Sequence, residues 1–148
     1  MRQRILTTTL ASLMLLNQSC GKNLAGNISI PLRNLNNGTC QQASGLMWQT
    51  ETSPEFTSWS AAEAYAENLV LAGHDDWRLP SKDELYSLCN IFEMRQNGDC
   101  TIKIKNNYWS GSNPKQGAAG YWEAYPLCGG SDFKYISSKT GVVRAVRP

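Results

Sequence analysis

The run Pro80-Ser81-Lys82-Asp83-Glu84 constrains this chain more than any other, because it fixes where a helix begins. Ser81 offers a capping oxygen, and Glu84, three residues on, can return its carboxylate to the Ser81 N–H. Pro80 precedes the cap, where its missing N–H costs nothing. Asp83 and Glu84 then sit at the positive end of the helix dipole. Leu85, Leu88, Cys89 and Phe92 recur at helical spacing and predict an apolar stripe. The surrounding residues, His74 to Cys89, look like active-site material: the chain's one histidine, four carboxylates, an arginine, a lysine and a cysteine. Helix initiation accounts for two of those carboxylates. Arg78 lies between Trp77 and Leu79 in a segment expected to be largely buried, and needs an acidic partner from among Asp75, Asp76 and Glu84. His74 has no second histidine to share a zinc ion with. The stretch therefore reads as framework.

A first helix is expected just after Trp59, with Ser60 as cap and Glu63 completing a capping box. Ala62, Tyr65, Ala66, Leu69 and Val70 share its apolar face, and Gly73 is placed to end it. The remainder reads as short strands at 45–49, 108–110, 121–125, 133–137 and 142–147, with long loops at 111–120 and 128–132. Two early helices and a later antiparallel sheet define an α+β domain.

The N-terminus reads differently. Arg2 and Arg4 precede a mostly apolar run, residues 5–16, of the length of a signal-peptide core and too short to span a bilayer. Cys20 follows. This leader resembles a bacterial lipoprotein signal, which implies residues 1–19 as leader, an acylated Cys20, a polar tether over 20–27 and one domain over 28–148. Five cysteines in an exported chain leave one over, and lipid on Cys20 resolves that parity. The other four suffice for two disulfides, and they allow three connectivities. The spacing favours Cys89–Cys100 around the Asn97-Gly98 turn, with Cys40–Cys128 as the second pair. The expected location is the bacterial cell envelope, at the outer membrane surface or in the periplasm.

Export also corrects the charge balance. Arg2 and Arg4 belong to the leader, so 12 of the 14 basic residues remain against 12 acidic ones. Neutrality of that kind gives no reason to expect nucleic acid. The distribution is uneven, since residues 101–148 hold seven basic and two acidic side chains.

Taken in order, Gly45-Leu46-Met47-Trp48-Gln49, Trp59, Ala62, Gly73, Asp76-Trp77-Arg78-Leu79-Pro80, Glu84-Leu85, Tyr108-Trp109-Ser110, Trp122 and Val143-Arg144-Ala145-Val146-Arg147 resemble one family. It is the family named for the C-terminal domain of the Legionella collagen-like adhesin, and the resemblance covers about residues 36–148. It implies a C-type-lectin-like fold, display outside the cytoplasm, and an adhesion role toward sulfated or acidic glycans or a surface protein. Family members often carry Cys where this chain has Ala145, so no disulfide pattern is carried across.

The candidate sites follow. Trp48 and Trp77 are expected in the core, Arg78 and Glu84 in an internal ion pair. Trp109 and Trp122 border long loops and are the aromatic ligand candidates. Lys103, Lys105, Lys115, Lys134, Lys139 and Arg147 are the anion-binding candidates. Arg144 and Arg147 are separated by an odd number and belong on opposite strand faces, so one of them is expected in an internal ion pair. Calcium-type ligand triplets are missing, and no metal or cofactor is expected. No hydrolase or metalloprotease motif is present, and Cys89 and Cys100 have no activating base beside them in sequence. A lipid-anchored envelope binding module is the reading; a structural or assembly role is the alternative, and an enzyme of formylglycine-generating type a weaker one.

Overall fold

The computed structural model describes residues 32–104, 106–127 and 130–148. Nine elements follow in order: β1 (Arg33–Asn34), β2 (Thr39–Gln41), β3 (Met47–Gln49), α1 (Trp59–Glu67), α2 (Lys82–Glu93), β4 (Tyr108–Ser110), β5 (Ala118–Leu127), β6 (Gly130–Ser138) and β7 (Val146–Arg147). The strands make two antiparallel sheets, ordered β1-β2-β3-β7 and β4-β5-β6. The α+β class expected from the sequence is what is found.

α2 starts where the sequence says. Ser81 Oγ accepts from Glu84 N, and the Glu84 carboxylate accepts from Ser81 N at 2.8 Å. Leu85 and Leu88 are buried, and Cys89 and Phe92 are half-buried. α1 differs at both ends. Its cap is Ser58, not Ser60, because Ser58 has the extended backbone a cap needs and its Oγ accepts from Ala61 N. The helix stops at Glu67, with Asn68 as cap and the Asn68 amide donating to Ala64 O. Val70 thus falls outside the helix and is 74% exposed. Gly73 serves a turn instead of a helix end: Ala72 and Gly73 both have positive φ, and Leu71 and His74 exchange backbone hydrogen bonds at 3.0 Å. That pattern is a type I′ turn, which favours glycine at its second central position.

The C-terminal segment divides the core by two-residue alternation. Val143 and Ala145 pack with Met47, Ala62, Ala66, Trp77, Leu79 and Trp109 beside α1. Val146 joins Leu32, Cys40, Trp48, Leu85, Leu88 and Tyr108 beneath α2. Only 146–147 of the expected 142–147 strand form a ladder, against β3. Residues 142 and 141 make single bridges to Tyr108 and Phe56. Conversely β5 and β6 are longer than expected, and the loop foreseen over 111–120 gives up its last three residues to β5. Trp48 is wholly buried, and each such aromatic removes about 150–250 Å² from water, about 4–6 kcal/mol of gross transfer energy.

The disulfide expectation is overturned. Cys40 in β2 is bonded to Cys100, with their Cα atoms 6.1 Å apart, and Cys89 is a free thiol. Cys89 points instead toward β5, where its Sγ lies 3.5 Å from Trp122 O. The helix places Cys89 on its β5 side, whereas Cys40 and Cys100 share the core around Trp48. Cys128, Cys20 and Lys105 lie outside the described residues.

Candidate functional site

Two arginines that sequence places three residues apart are separated by the alternation just described. Arg144 is fully buried, and its guanidinium is held by backbone carbonyls: Nη1 donates to Gln49 O at 2.7 Å and to Thr50 O, and Nη2 donates to Lys103 O at 3.0 Å. The Tyr108 ring lies 5.4 Å away. No carboxylate shares this site among the described residues, so the internal arginine is held by carbonyls through its two Nη atoms and not by an ion pair, and its buried Nε has no partner. Arg147 carries the ion pair. It grips Asp76 with two hydrogen bonds, Nη2 to Oδ2 at 2.9 Å, and holds that carboxyl below its ordinary range. Its Nη1 also touches Met47 Sδ at 3.1 Å. Arg147 is thereby committed to tying the C-terminus to the segment before α2.

Arg78 is fixed as well, by Glu84, through a bidentate pair at 2.7 and 2.8 Å. It is half-exposed, not largely buried, because its side chain runs outward to meet the first turn of α2. One Glu84 carboxylate therefore closes the capping box and clamps Arg78, and the Arg78 hydrogen bond, before all else, lowers its pKa. Trp77 is buried, its indole N–H donating to the carbonyls of Leu71 and His74. His74 enters the framework through its backbone.

The aromatic ligand candidates part company. Trp109 is buried and its N–H donates to Phe56 O at 3.0 Å, which takes it out of any surface site. Trp122 is half-buried on β5. Its N–H donates to Lys82 O, and its ring meets Tyr86 and Tyr135 edge-on at 5.2 and 5.3 Å. Lys82 Nζ lies 4.6 Å from the centre of the Tyr135 ring, completing a small aromatic cluster between α2 and the β5–β6 hairpin. Gly120 admits it, since a Cβ there would collide with the Tyr135 ring.

The described lysine candidates, Lys103, Lys115, Lys134 and Lys139, are all exposed and none makes a salt bridge with a described residue. They sit on different segments: the 101–107 stretch, the 111–117 loop, β6, and the turn after β6. Lys134 stands opposite Glu123 in the β5–β6 register.

One concavity has no counterpart in the sequence reading. A cleft of about 640 Å³ opens beside β5, lined by Cys89, Glu93, Asn106, Asn107, Tyr121 and Glu123 among others. It exists because β4 is short while β5 runs on past it. The Asn106-Asn107 pair before Tyr108 was the available signal, marking where β4 begins. Cys89 in this cleft has its thiol pushed up to about 11 by burial and by Glu93. Among the described residues, no three His, Cys, Asp or Glu side chains converge as a metal site, and no helix is long and apolar enough to cross a membrane.

Comparison with known proteins resolves the ancestry of this arrangement. The family model for the Lcl C-terminal domain matches residues 38–147. The chain belongs to the Lcl C-terminal domain family. Membership suggests an adhesin-type cell-surface module. Neither curated proteins nor solved structures yielded a match. The match begins at Gly38 and ends at Arg147, so it takes in β2 through β7, including Arg144 and both cysteines of the disulfide.

Proposed function

We propose that this Lcl C-terminal domain protein is an exported, lipid-anchored envelope module that adheres to an anionic surface ligand, such as a sulfated or acidic glycan. The observation that carries the reading is how its cations are divided. Arg78, Arg144 and Arg147 are each consumed by internal acceptors, whereas Lys103, Lys115, Lys134 and Lys139 keep exposed ammonium groups with no carboxylate partner among the described residues. Exposed lysines act as point charges on sulfate or carboxylate and attract anions over a Debye length of about 8–10 Å at physiological salt. The leader, Cys20 and the Cys40–Cys100 bond fit an oxidising compartment outside the cytoplasm. The two helices and twisted antiparallel strands fit a C-type-lectin-like frame.

Binding is favoured over catalysis by the state of Cys89. A nucleophilic or redox cysteine needs a lowered pKa, and burial holds this thiol protonated. A glycan array probed with the protein at low and physiological salt tests the reading. Retention on sulfated glycans that weakens as salt rises supports it. Binding indifferent to salt and to sulfation counts against it.

A further inference from the structure

The second sheet unzips along one side. β4 pairs with β5 only through Tyr108↔Gly120, Trp109↔Ala119 and Ser110↔Ala118. β5 continues to Leu127, and its opposite edge is matched to β6 from Ala119 to Leu127. From Tyr121 onward, therefore, β5 has no strand on its β4 side among the described residues. The 640 Å³ cleft occupies this position, with β5 on one side and the chain leading into β4, at Ile104, Asn106 and Asn107, on the other.

The backbone on that edge is aimed into the gap. Trp122 O accepts from the Cys89 thiol, a weak donor, and Cys89 lines the cleft, so the polar groups of Trp122 face it. Strand alternation gives Ala124 the same direction. Pro126 has that direction too but no N–H, one of the ways sheet edges are blunted, and it confines pairing to Trp122 and Ala124. The side chains supply charge. Glu93 and Glu123 line the cleft, and no described basic side chain does. Lys134, across from Glu123, is not within ion-pair distance of it. Asn106 and Asn107 add amides able to donate and accept.

We infer that this open edge of β5 receives an extended, lysine- or arginine-bearing peptide segment of a partner protein, which adds a strand beside Trp122–Ala124 and places its cations against Glu93 and Glu123. Main-chain pairing gives such a site its affinity and the flanking side chains its selectivity. A sugar fits less well, because the Trp122 ring and N–H are already engaged by Tyr86, Tyr135 and Lys82. Its lining includes none of the exposed lysines, and it takes a ligand of opposite charge.

The test uses the full chain as the cell processes it and a fluorescent, end-capped Lys-Val-Lys-Val-Lys peptide. Two controls are a Glu-Val-Glu-Val-Glu peptide and a lysine peptide N-methylated at alternate residues. The lysine peptide should raise anisotropy at physiological salt and slow amide exchange in residues 121–125, and both controls should fail. Glu93→Gln should weaken binding about threefold to tenfold, as expected for one charged contact. Ala124→Pro, which removes an edge N–H, should abolish protection at 121–125. Should Ala124→Pro not fold, Glu93→Gln and the N-methylated peptide decide. Equal binding of the N-methylated peptide, protection confined to other strands, or displacement by maltotriose overturns the inference.

Discussion

The C-terminal segment 142–147 and the β5–β6 hairpin draw on the same residue types, aromatics and long cations, and use them in opposite ways. In the first, Arg144 lies against Tyr108 with its guanidinium on carbonyls of two other segments, and Arg147 is locked to Asp76. In the second, Trp122, Tyr86, Tyr135 and Phe133 form an edge-to-face cluster open to solvent on one side, with Lys134 free nearby. A basic residue in this fold is thus structural when its neighbours offer carbonyls or a carboxylate within hydrogen-bond reach, and available when they do not. Composition cannot separate the two; burial and hydrogen-bond partners do.

The largest effect should come from the disulfide that staples β2, in the sheet that β7 of the first region joins. With Cys40 and Cys100 at a sequence separation of 60, loop closure predicts that replacing both with Ala costs about 4 kcal/mol of unfolding free energy in urea titrations. Non-reducing peptide mapping should recover Cys40 joined to Cys100, and a Cys89–Cys100 peptide would break the comparison at its root. Next comes Arg144→Ala, which takes a buried donor away from the Gln49, Thr50 and Lys103 carbonyls and should cost about 3 kcal/mol, whereas Lys134→Ala should change stability by no more than about 0.5 kcal/mol.

A smaller effect attends Glu84→Gln. The Arg78 pair is half-exposed and discounted accordingly, so the loss at neutral pH should be about 1 kcal/mol. Its pH dependence has a definite sign. Glu84 has a depressed folded pKa, so its contribution is fully present above the unfolded carboxyl value of about 4.3 and is lost as pH falls through the lower folded value. The wild-type chain should lose stability below about pH 5 more steeply than Glu84→Gln, as followed by thermal unfolding. The smallest effect should be chemical: Cys89, held protonated near neutral pH, should alkylate with iodoacetamide more slowly than the same thiol in urea-unfolded protein.

Much of the framework was legible in sequence. The Ser81–Glu84 box and the opposite facing of Arg144 and Arg147 follow from spacing, because local hydrogen bonds and two-residue alternation decide them; Trp48 and Trp77 are buried as expected, and Glu84 is the one of three candidate carboxylates that pairs with Arg78. What was missed depends on distant partners. The disulfide joins a strand that sequence did not reveal, β2, to a loop 60 residues away. Trp109 reads as a loop-border aromatic until Phe56 O, 53 residues earlier, is seen to hold its N–H. The cleft arises from the mismatch between β4 and β5, and a mismatch of strand lengths has no local signature.

The proposed adhesion resides in the unpaired lysines and not in the framework. It is tested most directly by binding of the wild-type chain and of a Lys103→Gln, Lys115→Gln, Lys134→Gln, Lys139→Gln variant to a sulfated polysaccharide and to its desulfated form, at low and physiological salt. The wild-type chain should be retained on the sulfated form alone, less so as salt rises, and the variant should lose that retention with its unfolding temperature unchanged. Equal binding by the folded variant would contradict it.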